Sequence, residues 1–102
     1  MSVLGKRLKA ARAEAGLSQE ALGIEAGLDP MSASARMNRY EVGARAPNYD
    51  LMVALGKVLK LPAAYFYAAK DDEAELLRLY HRLPSEARRK VLDGLRAQGN
   101  ND

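Results

Sequence analysis

The chain of 102 residues holds no cysteine, no tryptophan, no threonine and a single histidine. Without cysteine there are no disulfide bridges, thiolate metal sites or thiol nucleophiles. One histidine rules out a metal site built on paired imidazoles. β-Branched residues are also scarce, with five valines and one isoleucine. These residues favour a pleated surface, whereas alanine and leucine lose little on entering a helix and make up about a third of the chain. The composition implies an all-α fold. No apolar run approaches the roughly 20 residues needed to span a bilayer. The opening Met1-Ser2-Val3-Leu4-Gly5-Lys6-Arg7 lacks the apolar stretch and cleavage site of a signal peptide. A soluble, cytoplasmic protein with no membrane partner is expected.

A chain of this length can close one modest core. Its net charge of +3 is unevenly placed. Residues 1–67 carry nine Lys/Arg against six Asp/Glu, while residues 68–102 carry seven of each. An anionic partner is therefore expected to meet the first part.

Five helical stretches are predicted in that first part. Leu4, Leu8, Ala11 and Ala15 form one apolar stripe, ended by Gly16. Ser18 reads as the N-cap of a second helix, with Glu20 in its first turn, and Gly27 breaks it. Asp29-Pro30 reads as an N-cap followed by proline at the first helical position. That third stretch carries Ala33, Met37 and Tyr40 at helical spacing and stops at Gly43. Asn48 can cap a fourth helix with an apolar face of Leu51, Leu55, Val58 and Leu59, and Pro62 opens a short fifth around Tyr65 and Phe66.

Two further helices are predicted beyond residue 67. Asp71, Asp72 and Glu73 crowd the start of one, whose apolar residues are Leu76, Leu77, Leu79, Tyr80 and Leu83. Pro84-Ser85-Glu86 stops it and caps the other, which carries Val91, Leu92 and Leu95. The polar end, Gly99-Asn100-Asn101-Asp102, is expected to fray. The domain reading is a helix-turn-helix unit over 1–67 and a C-terminal helical extension over 68–102. The extension has more apolar residues than two isolated helices need, so it packs on its own domain or on a second copy. A dimer interface is the favoured reading.

The span from Gly16 to Pro47 carries the chemistry. Gly27 permits the positive φ that lets the third helix leave the second at a steep angle. The third helix can then enter the roughly 12 Å major groove while the second crosses the backbone. Gly5-Lys6-Arg7-Leu8-Lys9, Gly16-Leu17-Ser18-Gln19-Glu20 and Arg39-Tyr40-Glu41-Val42-Gly43-Ala44-Arg45-Ala46-Pro47 resemble the XRE family of Cro and repressor-type DNA-binding domains. The resemblance covers roughly residues 4–67. It implies a five-helix domain that binds operator DNA, usually as a dimer. Two departures stand out. Gly23 takes a place usually held by alanine, and the stretch from Gly27 to Glu41 is about four residues longer, close to one helical turn.

With Ala33, Met37 and Tyr40 facing inward, the outward face holds Met31, Ala35, Asn38 and Arg39, flanked by Ser32 and Ser34. Arg39 suits guanine and Asn38 adenine in the major groove. Matching backwards from Glu41, the family's base-reading positions fall on Ser34, Ala35 and Arg39. The expected base contacts are therefore Arg39, Asn38, Ser34, Ala35 and Ser32. Gln19, Arg45 and Asn48 are expected to meet phosphates. The resemblance also implies a buried ion pair between Arg12 and Glu41. Arg36 reads as a side chain that snorkels past Tyr40.

No catalytic residue, metal or cofactor is expected. His81 and Ser85 lack a third group to orient them, and the acids from Asp71 suit the first turn of a helix. The expected partners are double-stranded DNA and a second copy of the chain. The alternative is an antitoxin or adaptor of the same fold that binds a protein through its C-terminal helices.

Overall fold

The computed structural model describes residues 2–99, so the expected fraying at 100–102 lies outside the described residues. Six α-helices and one 3-10 segment follow in order: α1 (Val3–Glu14), α2 (Gln19–Glu25), α3 (Ala33–Val42), α4 (Tyr49–Leu59), the 3-10 segment Ala63–Tyr67, α5 (Asp71–His81) and α6 (Ser85–Gly99). There is no strand among the described residues.

Local chemistry accounts for most of the boundaries. The hydroxyl of Ser2 accepts from the Gly5 amide at 3.0 Å, that of Ser18 from Ala21 at 2.9 Å, and Asn48 Oδ1 accepts from Leu51 at 2.8 Å. Each satisfies an amide that has no partner within its own helix. At the other end of α3, Gly43 takes φ 83° and releases the chain toward α4.

The start of α3 departs from the sequence expectation. Asp29 is not its cap and Pro30 is not its first residue, because the helix begins at Ala33 with Ser32 at the N-cap. Asp29 Oδ1 instead accepts from the Met31 amide at 2.8 Å, and Ser32 N donates to the Asp29 carbonyl at 3.0 Å. A short aspartate side chain competes well for the amide two residues on, which closes a turn before helical bonding begins. Residues Asp29 to Ser32 therefore form a turn ahead of the helix. The cap of α6 also shifts by one residue. Ser85 opens that helix, and the Pro84 carbonyl takes its first bond, from Arg88 N at 3.0 Å.

One core runs through the first four helices, the 3-10 segment and α5. Leu8, Leu22, Met37, Met52, Leu55 and Phe66 are wholly buried in it, and Ala74 joins from α5. Two glycines set the closest approaches around α3. A Cβ on Gly5 would collide with the backbone carbonyl of Glu41, so only glycine lets α1 lie this close to α3. A Cβ on Gly23 would come within 3.0 Å of Met37 Cγ and 3.1 Å of Ala33 Cβ. Met37 and Ala33 thus crowd the space beside Gly23, and a methyl there would need them to give way by a few tenths of an ångström.

Polar contacts fasten α5 to the rest. Arg7 Nε donates to the Ala68 carbonyl at 2.9 Å and Arg7 pairs with Asp71 at 3.0 Å. Arg82 donates to the carbonyls of Lys60 and Leu59 at 3.1 and 3.2 Å, closing the end of α4. At the α5–α6 corner, Arg88 donates to the carbonyls of Tyr80 and His81 and lies 5.4 Å from the Tyr80 ring centroid. Beyond that corner α6 buries no residue. The molecule is elongated, 53 × 26 × 22 Å. Leu76, Leu77, Tyr80, Leu92 and Leu95 line an apolar groove of about 210 Å³ between the last two helices.

Candidate nucleic-acid interface

Helix α3 has two distinct faces. Ala33, Met37, Tyr40 and Glu41 are buried, which follows from the apolar stripe recurring at three- and four-residue intervals. Ser34, Ala35, Asn38 and Arg39 are exposed on the opposite side, and Ser32 is half-buried at the cap. Met31, in the turn just before the helix, is 94 % exposed.

Beneath that outward face lies a polar network. Glu41 is 2 % exposed and receives Arg12 Nε at 2.6 Å and Arg12 Nη2 at 3.1 Å. The two parallel bonds match the fork of a guanidinium to a carboxylate. Arg12 Nη1 also donates to the Leu17 carbonyl at 2.9 Å, tying the loop after α1 to the same centre. The hydrogen bond that Arg12 donates to Glu41 holds the guanidinium above its ordinary pKa and outweighs desolvation, which acts in the opposite direction.

Gln19, at the start of α2, extends this network. Its Nε2 donates to Glu41 Oε1 at 3.2 Å and to Asn38 Oδ1 at 3.3 Å. An amide nitrogen has two hydrogens, and both are used within the domain. The structure thus joins Gln19, expected on phosphate, to Asn38, expected on a base, and both to the ion pair. That connection is invisible in sequence because the residues are 19 and 22 positions apart from Gln19. Asn38 retains its Nδ2 hydrogens as donors on the exposed face.

Asn48 spends its oxygen on the α4 cap, which leaves its Nδ2 hydrogens for another acceptor. Arg45 is exposed in the loop between α3 and α4. With Arg36, Arg39, Tyr40 and Ala46 it lines a cleft of about 340 Å³. Arg36, expected to snorkel past Tyr40, lines this cleft beside residues of the candidate interface. Its Nη2 donates to the Tyr40 hydroxyl at 2.9 Å, with the guanidinium 5.9 Å from the ring centroid. The available signal was the four-residue spacing of Arg36 and Tyr40 on one helix flank, with Arg39 one turn further on.

Residues 3–65 match the family model described as a helix-turn-helix domain. The chain belongs to the helix-turn-helix family, as one of its XRE-type regulators. The crystal structure of the transcriptional regulator BswR is similar to this helix-turn-helix protein at 42 % sequence identity and a TM-score of 0.83, covering 91 % of this chain and 92 % of that one. Among curated proteins no relative matched. In this helix-turn-helix chain the second helix of the motif is α3. No helix among the described residues is long and apolar enough to cross a membrane.

Proposed function

We propose that the chain is a sequence-specific DNA-binding regulator that occupies an operator as a homodimer, with the exposed face of α3 in the major groove. The observation that carries this reading is the division of α3 itself. Its inner face is fixed to α1 and α2 by Met37, Tyr40 and the Arg12–Glu41–Gln19 network, and its outer face offers Ser34, Ala35, Asn38 and Arg39 to solvent. A recognition surface has to be held rigidly from behind, because base-edge hydrogen bonds tolerate little misplacement.

In this reading Arg39 reads guanine, Asn38 donates from Nδ2 to a base, Ser34 and Ser32 contact base or phosphate, and Ala35 meets a thymine methyl. Arg45 and Asn48 hold the flanking strand. Gln19, with both amide hydrogens committed, braces Asn38 rather than donating to phosphate. A two-fold dimer would set two copies of α3 about 34 Å apart along one face of the duplex. The apolar groove lined by Leu76, Leu92 and Leu95 is the surface for the second copy, since no residue of α6 is fully buried within its own chain.

The test is selection from random duplexes followed by anisotropy titration across a salt series, on the native chain and on Arg39→Ala. The reading expects a two-fold symmetric site. Arg39→Ala should cost about 1–3 kcal/mol on that site and much less on random duplex. Enrichment of no sequence, or an equal loss on both duplexes, would refute it.

A further inference from the structure

Most arginines in this molecule are matched to an acid or to backbone carbonyls. Arg7 pairs with Asp71, Arg12 with Glu41, Arg78 and Arg82 with Glu14, and Arg96 with Asp93. Arg88 is spent on the α5–α6 corner. Arg36, Arg39, Arg45 and Arg89 have no acid partner among the described residues; the first three line one cleft, and no carboxylate lines it with them. Three like charges around one concavity repel one another, and an anion between them reverses the sign of that interaction.

We infer that this cleft seats a backbone phosphate of the bound duplex and that Arg36 is the residue that grips it, held in place by the Tyr40 hydroxyl. The inference rests on the DNA-binding reading and adds a contact to it. A guanidinium is the side chain whose fork best fits phosphate oxygens. Arg36 sits on the flank of α3 beside the Arg45 loop and not on the outward face. A helix lying in the major groove turns such a flank toward a sugar–phosphate strand.

Tyr40 is itself buried, so its hydroxyl is a fixed anchor for Arg36. Holding Arg36 there in advance removes part of the rotamer entropy that binding would otherwise cost.

The experiment compares the native chain, Arg36→Gln, Arg36→Lys, Tyr40→Phe and the double variant Arg36→Gln/Tyr40→Phe by anisotropy over a salt series. Each is titrated with the selected duplex and with a scrambled one, and thermal melting monitors the fold. Losing one phosphate contact lowers the slope of log affinity against log salt by about 0.9. Arg36→Gln should show that drop and weaken both duplexes by the same factor. Arg36→Lys should restore the slope while falling short of native affinity, because an ammonium lacks the fork. Tyr40→Phe should weaken binding on its own and have no further effect in the Arg36→Gln background. An unchanged slope in Arg36→Gln, while the native chain binds with steep salt dependence, overturns the inference and leaves the DNA reading standing. A loss confined to the selected duplex also overturns it, since that marks a base contact. No salt-dependent binding by the native chain removes both.

Discussion

The Arg12–Glu41 pair offers the sharpest test of what holds α3 in place. Arg12→Leu removes both donors at 2.6 and 3.1 Å and leaves a carboxylate that is 2 % exposed with only Gln19 Nε2 at 3.2 Å to support it. Stranding one partner of a buried ion pair costs about 3–5 kcal/mol. A domain of this size is stable by about 5–15 kcal/mol in total, so the single change removes a large share. At a urea m-value of about 1.5 kcal/mol/M, the midpoint should fall by about 2–3 M. The double variant Arg12→Leu/Glu41→Met removes the stranded charge as well. The remaining losses are the Leu17 carbonyl, which no longer receives Nη1 at 2.9 Å, and one acceptor for Gln19. Both groups are half-buried and can reach water, so the double variant should lie within about 1–2 kcal/mol of the native chain. Urea denaturation followed by far-ultraviolet circular dichroism at neutral pH measures all three. If single and double variants lose stability equally, the cost lies in the lost attraction and not in a stranded charge, and the reasoning fails.

Other expectations follow from single contacts. Gly5→Ala should lower stability by about 2–3 kcal/mol in thermal melts, because the added methyl meets the Glu41 backbone and forces α1 from α3; a neutral result would show that the two helices can separate freely. Ser18→Ala should cost about 1 kcal/mol through loss of the 2.9 Å cap bond to Ala21, checked by the shift in urea midpoint at constant m. Leu95→Glu, in the groove between α5 and α6, should give a monomer in sedimentation equilibrium and weaken operator binding while sparing non-specific binding. A dimer that survives Leu95→Glu would place the interface elsewhere.

Much of this protein was legible without coordinates, because the signals were local. A scarcity of β-branched residues, apolar residues at three- and four-residue spacing, and caps at Ser18 and Asn48 act within one or two helical turns. They determined the all-α class, most helix boundaries and the outward positions Ala35, Asn38 and Arg39 with Ser34 on their flank, while Met31 falls in the turn ahead of α3 and Ser32 is half-buried at its cap. The start of α3 is not legible in the sequence, because Asp29-Pro30 suits both a helix cap and a turn, and the bond from the Met31 amide to Asp29 decides between them. Only tertiary packing could make the rest visible. The place of Gly23 depends on Met37 filling the space beside it. The role of Gln19 depends on Asn38 and Glu41 meeting it from another helix. The cleft exists because the loop after α3 returns Arg45 to the flank that carries Arg36 and Arg39. Helical periodicity specifies which side of each helix is apolar, but which groups from different helices share a bond or a cavity depends on how the closed core stacks those helices, and distance along the chain carries no record of it.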